Sequence, residues 1–406
     1  MLHKRYLNYL QRNVFFKYNI IKFLELNKIG SNFSKIFQIV STNHMCTTLG
    51  IQQCETVEED IIENVKSFDP KLCKANYKRN EKVNAIYLFE ENVARKFATL
   101  IASDLIKSSA ATVEVNPGPC YLTKELLKAG VKKIYLFEEN PIYHSSVEKL
   151  QGKYPNCLEL KHVNLFKIKQ FQSKHKYNVE ETFKCFTEKK WEEEVYLNFV
   201  GIAMNKFFIS FILLNTIYGN NIMKFGRVRF YLAVPPSMWQ MLTFSDTDNY
   251  SYYTSKAILF QLLFNYEILG CVNRKAFFPK TRKIYKRKIE IDLYKDDDEF
   301  MYITKLEPKS NFYTDFIAQE DLKLFWLFLR HNLYSRKTRV IPELERWAPG
   351  CGEHLISYDY NIFTEFGQLK PLEFVKLFKL FVSLPNLNKI EYAIAIDSKQ
   401  TNGKLG

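Results

Sequence analysis

The amino-acid sequence predicts an α/β fold, a doubly wound nucleotide-binding sheet followed by a small C-terminal helical domain. Three observations carry this. A short β-branched run, Ala111–Val115, enters a Pro-Gly turn and a helix. A second apolar run, Ile134–Phe137, then ends on an acid, Glu138. Finally, the last hundred or so residues change to stripes of helical period.

The elements follow in order. Val93, Phe97, Leu100, Ile101 and Leu105 fall on one helical face ahead of the first strand. After Asn116-Pro-Gly-Pro-Cys120, a helix runs from Leu122 to Ala129, and Gly130 sits where a C-terminal cap is expected. Further strands are expected over Val195–Val200 and Arg227–Val234. Leu322, Phe325, Trp326, Leu329 and Leu333 form one late helical stripe; Phe374, Leu377, Phe378 and Phe381 form another. The organisation expected is a leader over 1–45, a flexible segment over 46–75, the sheet domain over 76–300, the helical domain over 301–395 and a tail over 396–406.

Composition narrows the function. With 47% hydrophobic residues the 406-residue chain can bury a core. Its net charge of +14 and 16% aromatics suit a nucleic-acid binder, although an AT-rich genome raises Lys, Phe and Tyr as well. Up to residue 54 there are seven basic residues and one acid, Glu25, among interleaved apolar residues. That is the pattern of a mitochondrial transit peptide, or alternatively of a basic nucleic-acid-binding arm. The eight cysteines form no Cys-x-x-Cys pair, which points to a reducing compartment and neither a disulfide framework nor a zinc site. The most apolar run, Phe207–Tyr218, is too short to span a membrane. No metal site is expected. Asp296–Glu299 and Glu192–Glu194 read as solvated loops, and His144 and His162 as surface or packing residues.

The turn after the first strand is where chemistry would begin. A glycine there, Gly118, lets backbone approach a cofactor, and the following helix N-terminus offers free N–H groups. An acid at the tip of the next strand, Glu138, can accept from both hydroxyls of a ribose. One glycine is a weak signal, because Asn116 and Cys120 stand where a fuller glycine loop would continue.

Glu114-Val-Asn-Pro-Gly-Pro-Cys-Tyr-Leu-Thr123 with Tyr135-Leu-Phe-Glu-Glu139 resembles the rRNA adenine dimethyltransferase superfamily, and its Asn-Pro-Gly-Pro version resembles the mitochondrial transcription factor B branch. Ala257–Tyr266 through Phe277-Phe-Pro-Lys280 resembles that family's helix, strand and Phe-Pro substrate loop. Ser335-Arg-Lys-Thr-Arg339 resembles its Arg-Arg-Lys-Thr helix, and Leu369–Phe374 its closing helical segment. The resemblance implies a Rossmann-like S-adenosylmethionine-dependent methyltransferase fold. It also implies a cofactor site built on Leu88, Glu114, Gly118, Glu138 and Asn164.

The departures from the family pattern matter most. Where active members carry Asn-Leu-Pro-Tyr to hold and stack the adenine, this chain has Ile202-Ala-Met-Asn205. Ile202, Ala203, Met204 and Asn205 cannot position the amine, so the resemblance implies weak cofactor binding and little or no catalysis. Ala85-Ile-Tyr-Leu88 likewise keeps only the aromatic–Leu half of Gln-Asn-Phe-Leu, and Asn164 stands in place of an Asp. A kept scaffold with a lost catalytic motif resembles the promoter-melting branch. Its members act in the mitochondrial matrix nucleoid with the mitochondrial RNA polymerase on promoter DNA.

Between Arg274 and Lys288 lie eight basic residues and no acid, with Phe277, Phe278 and Tyr285 among them. Arg274, Lys275, Phe277, Phe278, Lys280, Arg282 and Lys283 are therefore candidates for single-strand binding, with a solvated Lys-rich strand pair as the alternative. Arg336, Lys337 and Arg339 form a second basic set beside Arg330 and His331. The expectation is a monomeric initiation factor, with small-subunit rRNA a further possible partner and no membrane association. The rival readings are an active mitochondrial rRNA adenine dimethyltransferase and a general single-strand-binding module.

Overall fold

The computed structural model describes residues 85–163, 165, 182–183, 185–203, 206–219, 221–244, 253–278, 295–384, 387–389, 391–392 and 394. The expected leader, the segment to residue 75 and the tail lie outside them.

A seven-stranded sheet organises the chain. Its strands are β2 (Ala111–Val115), β3 (Ile134–Phe137), β4 (Leu158–Lys161), β5 (Leu197–Ile202), β6 (Val228–Val234), β7 (Phe264–Asn273) and β9 (Phe300–Pro308), in the spatial order β4-β3-β2-β5-β6-β9-β7. Strands β4 to β6 are parallel; β9 runs antiparallel to both β6 and β7. The order reverses at β2, between β3 and β5. In open α/β sheets that reversal is where ligands bind, outside the strands' C-terminal ends. The expected α/β class is thus observed.

A separate two-residue ribbon pairs β1 (Tyr87–Leu88) with β8 (Phe277–Phe278), Tyr87 opposite Phe278 and Leu88 opposite Phe277. Helices cover both faces. On one side α1 (Glu91–Lys107) buries Val93, Phe97, Ile101 and Leu105, the spacing expected of an amphipathic helix. Helix α2 (Tyr121–Lys128) ends in a Schellman motif: Gly130 N–H donates to Leu127 O and Val131 N–H to Leu126 O, with Gly130 at φ +102°. Next comes α3 (His144–Lys153). On the other face lie α4 (Lys206–Tyr218), α5 (Pro236–Thr243) and α6 (Ser255–Leu263), the last capped by Thr254. No helix among the described residues is long and apolar enough to cross a membrane.

Helices α7 (Leu322–Asn332), α8 (Val340–Glu345), α9 (Gly352–Ser357) and α10 (Pro371–Ser383) complete the chain, and both expected stripes are buried. Their placement corrects the boundary expected at residue 300. Strand β9 lies inside the sheet, so the sheet runs to Pro308. Phe325, Phe328, Phe374 and Phe378 also share one apolar cluster with Phe230, Phe264 and Leu306, so the helices extend the sheet's core and do not enclose a separate one.

Candidate cofactor cleft and nucleic-acid surface

The turn leaving β2 is tight. Asn116, Gly118 and Cys120 all take positive φ, +54°, +57° and +63°. Only glycine adopts this region without strain, so the turn holds two strained non-glycine residues at the switch point. Asn116 N–H donates to Phe137 O at 2.8 Å, tying the turn to the end of β3. Its side-chain Oδ1 is buried without a hydrogen-bond partner.

Glu138 follows β3 as expected, but it faces its own chain. It is wholly buried. Oε2 accepts from Gly118 N–H at 3.1 Å, and Oε1 accepts from Asn140 N–H at 2.8 Å and from the Tyr87 hydroxyl at 3.4 Å. Burial pushes its carboxyl up to about 7, while the two backbone donors pull the other way. Glu114 is buried too. It accepts from Thr123 Oγ1 at 2.8 Å, and burial, reinforced by the charge of Glu138, pushes it up to about 7.

Tyr87 lies directly over the turn. A Cβ placed on Gly118 would stand 2.5 Å from Tyr87 Cδ1, so glycine is required there for space as well as for φ. The same ring packs against Tyr143 with centroids 4.6 Å apart. Leu88, expected to line the cofactor's methionine end, is buried in β1. Asn164 lies outside the described residues. Tyr87 is the aromatic of the aromatic–Leu half kept from the family motif, and what sequence reasoning missed is its hydroxyl on Glu138. The signal available was the tyrosine itself, standing where the family motif has phenylalanine, with a hydroxyl that can reach an acid.

S-adenosylmethionine is the cofactor class against which this cleft is tested. Turn, glycine and acid are of suitable chemistry. In the arrangement observed, however, the space over Gly118 holds an aromatic ring and the acid's oxygens already accept from the chain's own donors. The residue types present, a glycine turn followed by a buried acid, fit this cofactor class, with Glu138 engaged by the chain's own donors.

At the end of β5, Ile202 pairs with Ala233, and Ala203 is buried with its N–H donated to Ala233 O at 2.9 Å. Hydrocarbon therefore occupies the first two positions of the altered motif. Met204 and Asn205 lie outside the described residues.

The nucleic-acid candidates divide. Two are corrected by their burial. Arg274 is 5% exposed, donates to Phe277 O at 2.6 Å and faces the charges of Asp297 and Asp298. Phe277, 1% exposed, alternates inward in β8 and offers no face to a base. Phe278 is half-buried, edge-on to Phe89. Lys275 is exposed, and Lys280, Arg282 and Lys283 lie outside the described residues.

In the second basic set, Lys337 and Arg339 are exposed, the latter over the Phe363 ring at 5.2 Å. Arg336 is half-buried and donates through Nε to Tyr253 O. This stretch is a turn leading to an isolated bridge with Glu365, which corrects the expected helix. His331 is paired with Glu343 at 2.9 Å, and Arg330 lies over Trp326.

Asp297 corrects the solvated reading of its acidic run. It is buried and accepts from Ser237 N–H and Oγ at 2.8 and 2.7 Å, capping α5. His162 Nδ1 lies 3.1 Å from His144 Nε2. Among the described residues no group of three or more His, Cys, Asp or Glu could hold a metal ion.

No protein-family model matches the chain. It is 24% identical over 366 residues to the mitochondrial dimethyladenosine transferase 2 of Drosophila melanogaster, covering 79% of this chain and 81% of that protein. To the protein of the same name from Homo sapiens it is 22% identical over 278 residues, covering 65% and 68%. Among solved structures, a dimethyladenosine transferase from Plasmodium falciparum aligns with a TM-score of 0.48 at 16% identity, over 74% of this chain and 99% of that one. The 23S rRNA methyltransferase ErmE aligns with a TM-score of 0.44 at 14% identity, over 73% and 100%. The curated relatives support placement in the rRNA adenine dimethyltransferase superfamily. Their names also suggest a mitochondrial location.

Proposed function

We propose that this chain is a mitochondrial transcription initiation factor that binds promoter DNA and helps the mitochondrial RNA polymerase melt it. In this reading it is a monomer of the matrix nucleoid, built on a dimethyltransferase scaffold that no longer positions an adenine. The observation that carries the proposal is the end of β5, where Ile202 and Ala203 present hydrocarbon. A methyl transferase must hold the amine in near-attack geometry, and most of its rate comes from doing so. Neither residue can donate or accept a side-chain hydrogen bond.

What the scaffold retains is the ability to bind a nucleic-acid strand. Enzymes that act on a base hold an unpaired strand and an extruded nucleotide, and a melting factor has to trap the same kind of strand. Lys275, Lys337 and Arg339 are exposed cations suited to phosphate, and six further basic residues lie between Lys280 and Lys288 in the sequence. S-adenosylmethionine binding is weak in this reading, and small-subunit rRNA is a secondary partner.

The test compares a linear promoter template with a pre-melted one in the presence of the cognate polymerase. Stimulation confined largely to the linear template supports a melting role, and equal stimulation of both counts against it. The retained turn and acid favour a second reading, an active rRNA adenine dimethyltransferase. Transfer of labelled methyl to an rRNA hairpin, abolished by Glu138→Ala, would establish that reading and displace the first.

A further inference from the structure

We propose that the short ribbon made by residues 338–340 and 364–366 is a base-stacking contact for an unpaired nucleic-acid strand. Phe363 takes a base on its open face, and Arg339 and Lys337 take the phosphates beside it. The inference rests on the strand-binding reading above and gives that contact its residues. Backbone pairing builds the platform. Val340 N–H donates to Thr364 O at 2.9 Å and Phe366 N–H to Thr338 O at 3.0 Å, with Arg339 opposite Glu365 in an antiparallel register. Side chains of paired extended segments alternate between two faces. Val340 and Phe366 are accordingly buried, whereas Arg339, between them in the ladder, and Lys337, two residues before it, are exposed. The Arg339 guanidinium lies 5.2 Å over the Phe363 ring, which brings that ring to the exposed face.

The ring is fixed at its backbone yet open at its side chain. Asn361 Oδ1 accepts from Phe363 N–H at 2.8 Å, and Thr364 Oγ1 accepts from Asn361 N–H at 3.1 Å. Phe363 is nonetheless 63% exposed. A guanidinium over an aromatic ring is favourable but covers one face only, and every base has a π-face to lay on the other. A second ring, Tyr334, is 93% exposed just before the turn in which Thr338 N–H donates to Ser335 O. Charge selects the occupant. Among the described residues neither Lys337 nor Arg339 pairs with a carboxylate, and the carboxylate of Glu365 caps the turn Phe366–Gln368. Exposed rings set beside unneutralised cations suit a single strand, which supplies bases to the rings and phosphates to the cations. An apolar protein surface would leave both cations without counter-charge.

The experiment is fluorescence anisotropy of the full chain with a labelled oligothymidylate of about 12 nucleotides and with a duplex of the same length. Phe363→Ala should weaken oligothymidylate binding about tenfold and leave both duplex binding and the salt slope unchanged, because paired bases offer no free face. Phe363→Leu, which keeps apolar bulk without a ring, should match the alanine variant, and Phe363→Trp should bind at least as tightly as wild type. Wild-type affinity in Phe363→Ala or in Phe363→Leu overturns the proposal. So does an equal loss on single strand and duplex, and so does an absence of oligothymidylate binding by the unsubstituted chain. If Phe363→Ala shows no cooperative thermal melt, Phe363→Leu decides on the same terms. The comparison of linear and pre-melted templates uses the unsubstituted chain and stands whatever these variants do, so the two readings fail separately.

Discussion

The strand ends that meet at the switch point differ in the chemistry they present. At the β2–β3 end Glu138 and Glu114 are buried and accept from donors of the chain itself, Gly118 N–H, Asn140 N–H and Thr123 Oγ1. At the β5 end Ile202 and Ala203 present hydrocarbon. The first is polar and set by which donors reach its carboxylates. The second is apolar by composition, since neither side chain carries a polar atom.

The largest expected effect probes the crowded end. Gly118→Ala places a methyl in the Tyr87 ring at a positive φ and should cost about 3 kcal/mol, combining overpacking with left-handed strain. Urea melts of Gly118→Ala, Tyr87→Val and the double variant would show a coupling of roughly 1–3 kcal/mol if the two residues touch as described, and additivity if they do not.

A comparable effect should follow from the buried carboxyls. The native carboxyl of Glu114 lies near 7 against an ordinary 4.5, raised mainly by burial. Its stabilising contribution is fully present below the ordinary value and is lost as pH rises through about 7. Stability should therefore fall by on the order of 3 kcal/mol across that window and level off above it. Glu114→Gln, neutral throughout, should flatten this part of the profile in urea melts at successive pH values. An unchanged slope would mean that Glu114 is not the group responsible.

The basic residues supply a further contrast. Arg274→Ala should cost about 3 kcal/mol of stability, because it removes the charge facing Asp297 and Asp298 and the donor to Phe277 O. It should leave the salt dependence of DNA binding unchanged. Lys337→Ala or Arg339→Ala should do the reverse, with stability within about 0.5 kcal/mol of wild type and a log-affinity slope against log salt shallower by about one unit each. The smallest expected effect is at the apolar end. In the proposed non-catalytic reading Ile202→Asn alone should confer no methyl transfer, since one polar group does not position an adenine; measurable labelling of an rRNA hairpin by that variant would dissolve the contrast.

Much of this was legible beforehand. Thr112, Val113 and Val115 mark β2 by their branching, Gly130 marks the end of α2 through its required φ, and the stripes at Leu322–Leu333 and Phe374–Phe381 mark buried helices through period. All of these are local signals. What stayed hidden depends on distant neighbours. Nothing in Phe300–Pro308 tells that it inserts between β6 and β7. The charge of Arg274 and the ring of Phe277 suggest a surface role until β8 turns them inward. One carboxylate in Asp296–Glu299 caps a helix sixty residues earlier in the chain, and no count of charges reveals which. Likewise the sequence places Gly118 and Glu138 at the right separation without showing that the acid looks inward.

The insertion of β9 also bears on how the molecule must be assembled. Strand β6 is complete at Val234, but its outer neighbour is not available until the chain reaches Pro308. During synthesis or after threading through a membrane, β6 therefore keeps a row of unpaired backbone groups facing outward, an open template for any passing strand. Strand β7 emerges first and has to leave a gap one strand wide beside it, so closing the sheet is a late event with high contact order. A chain ending at residue 300 would lose an interior strand and leave two exposed edges where the native sheet is continuous.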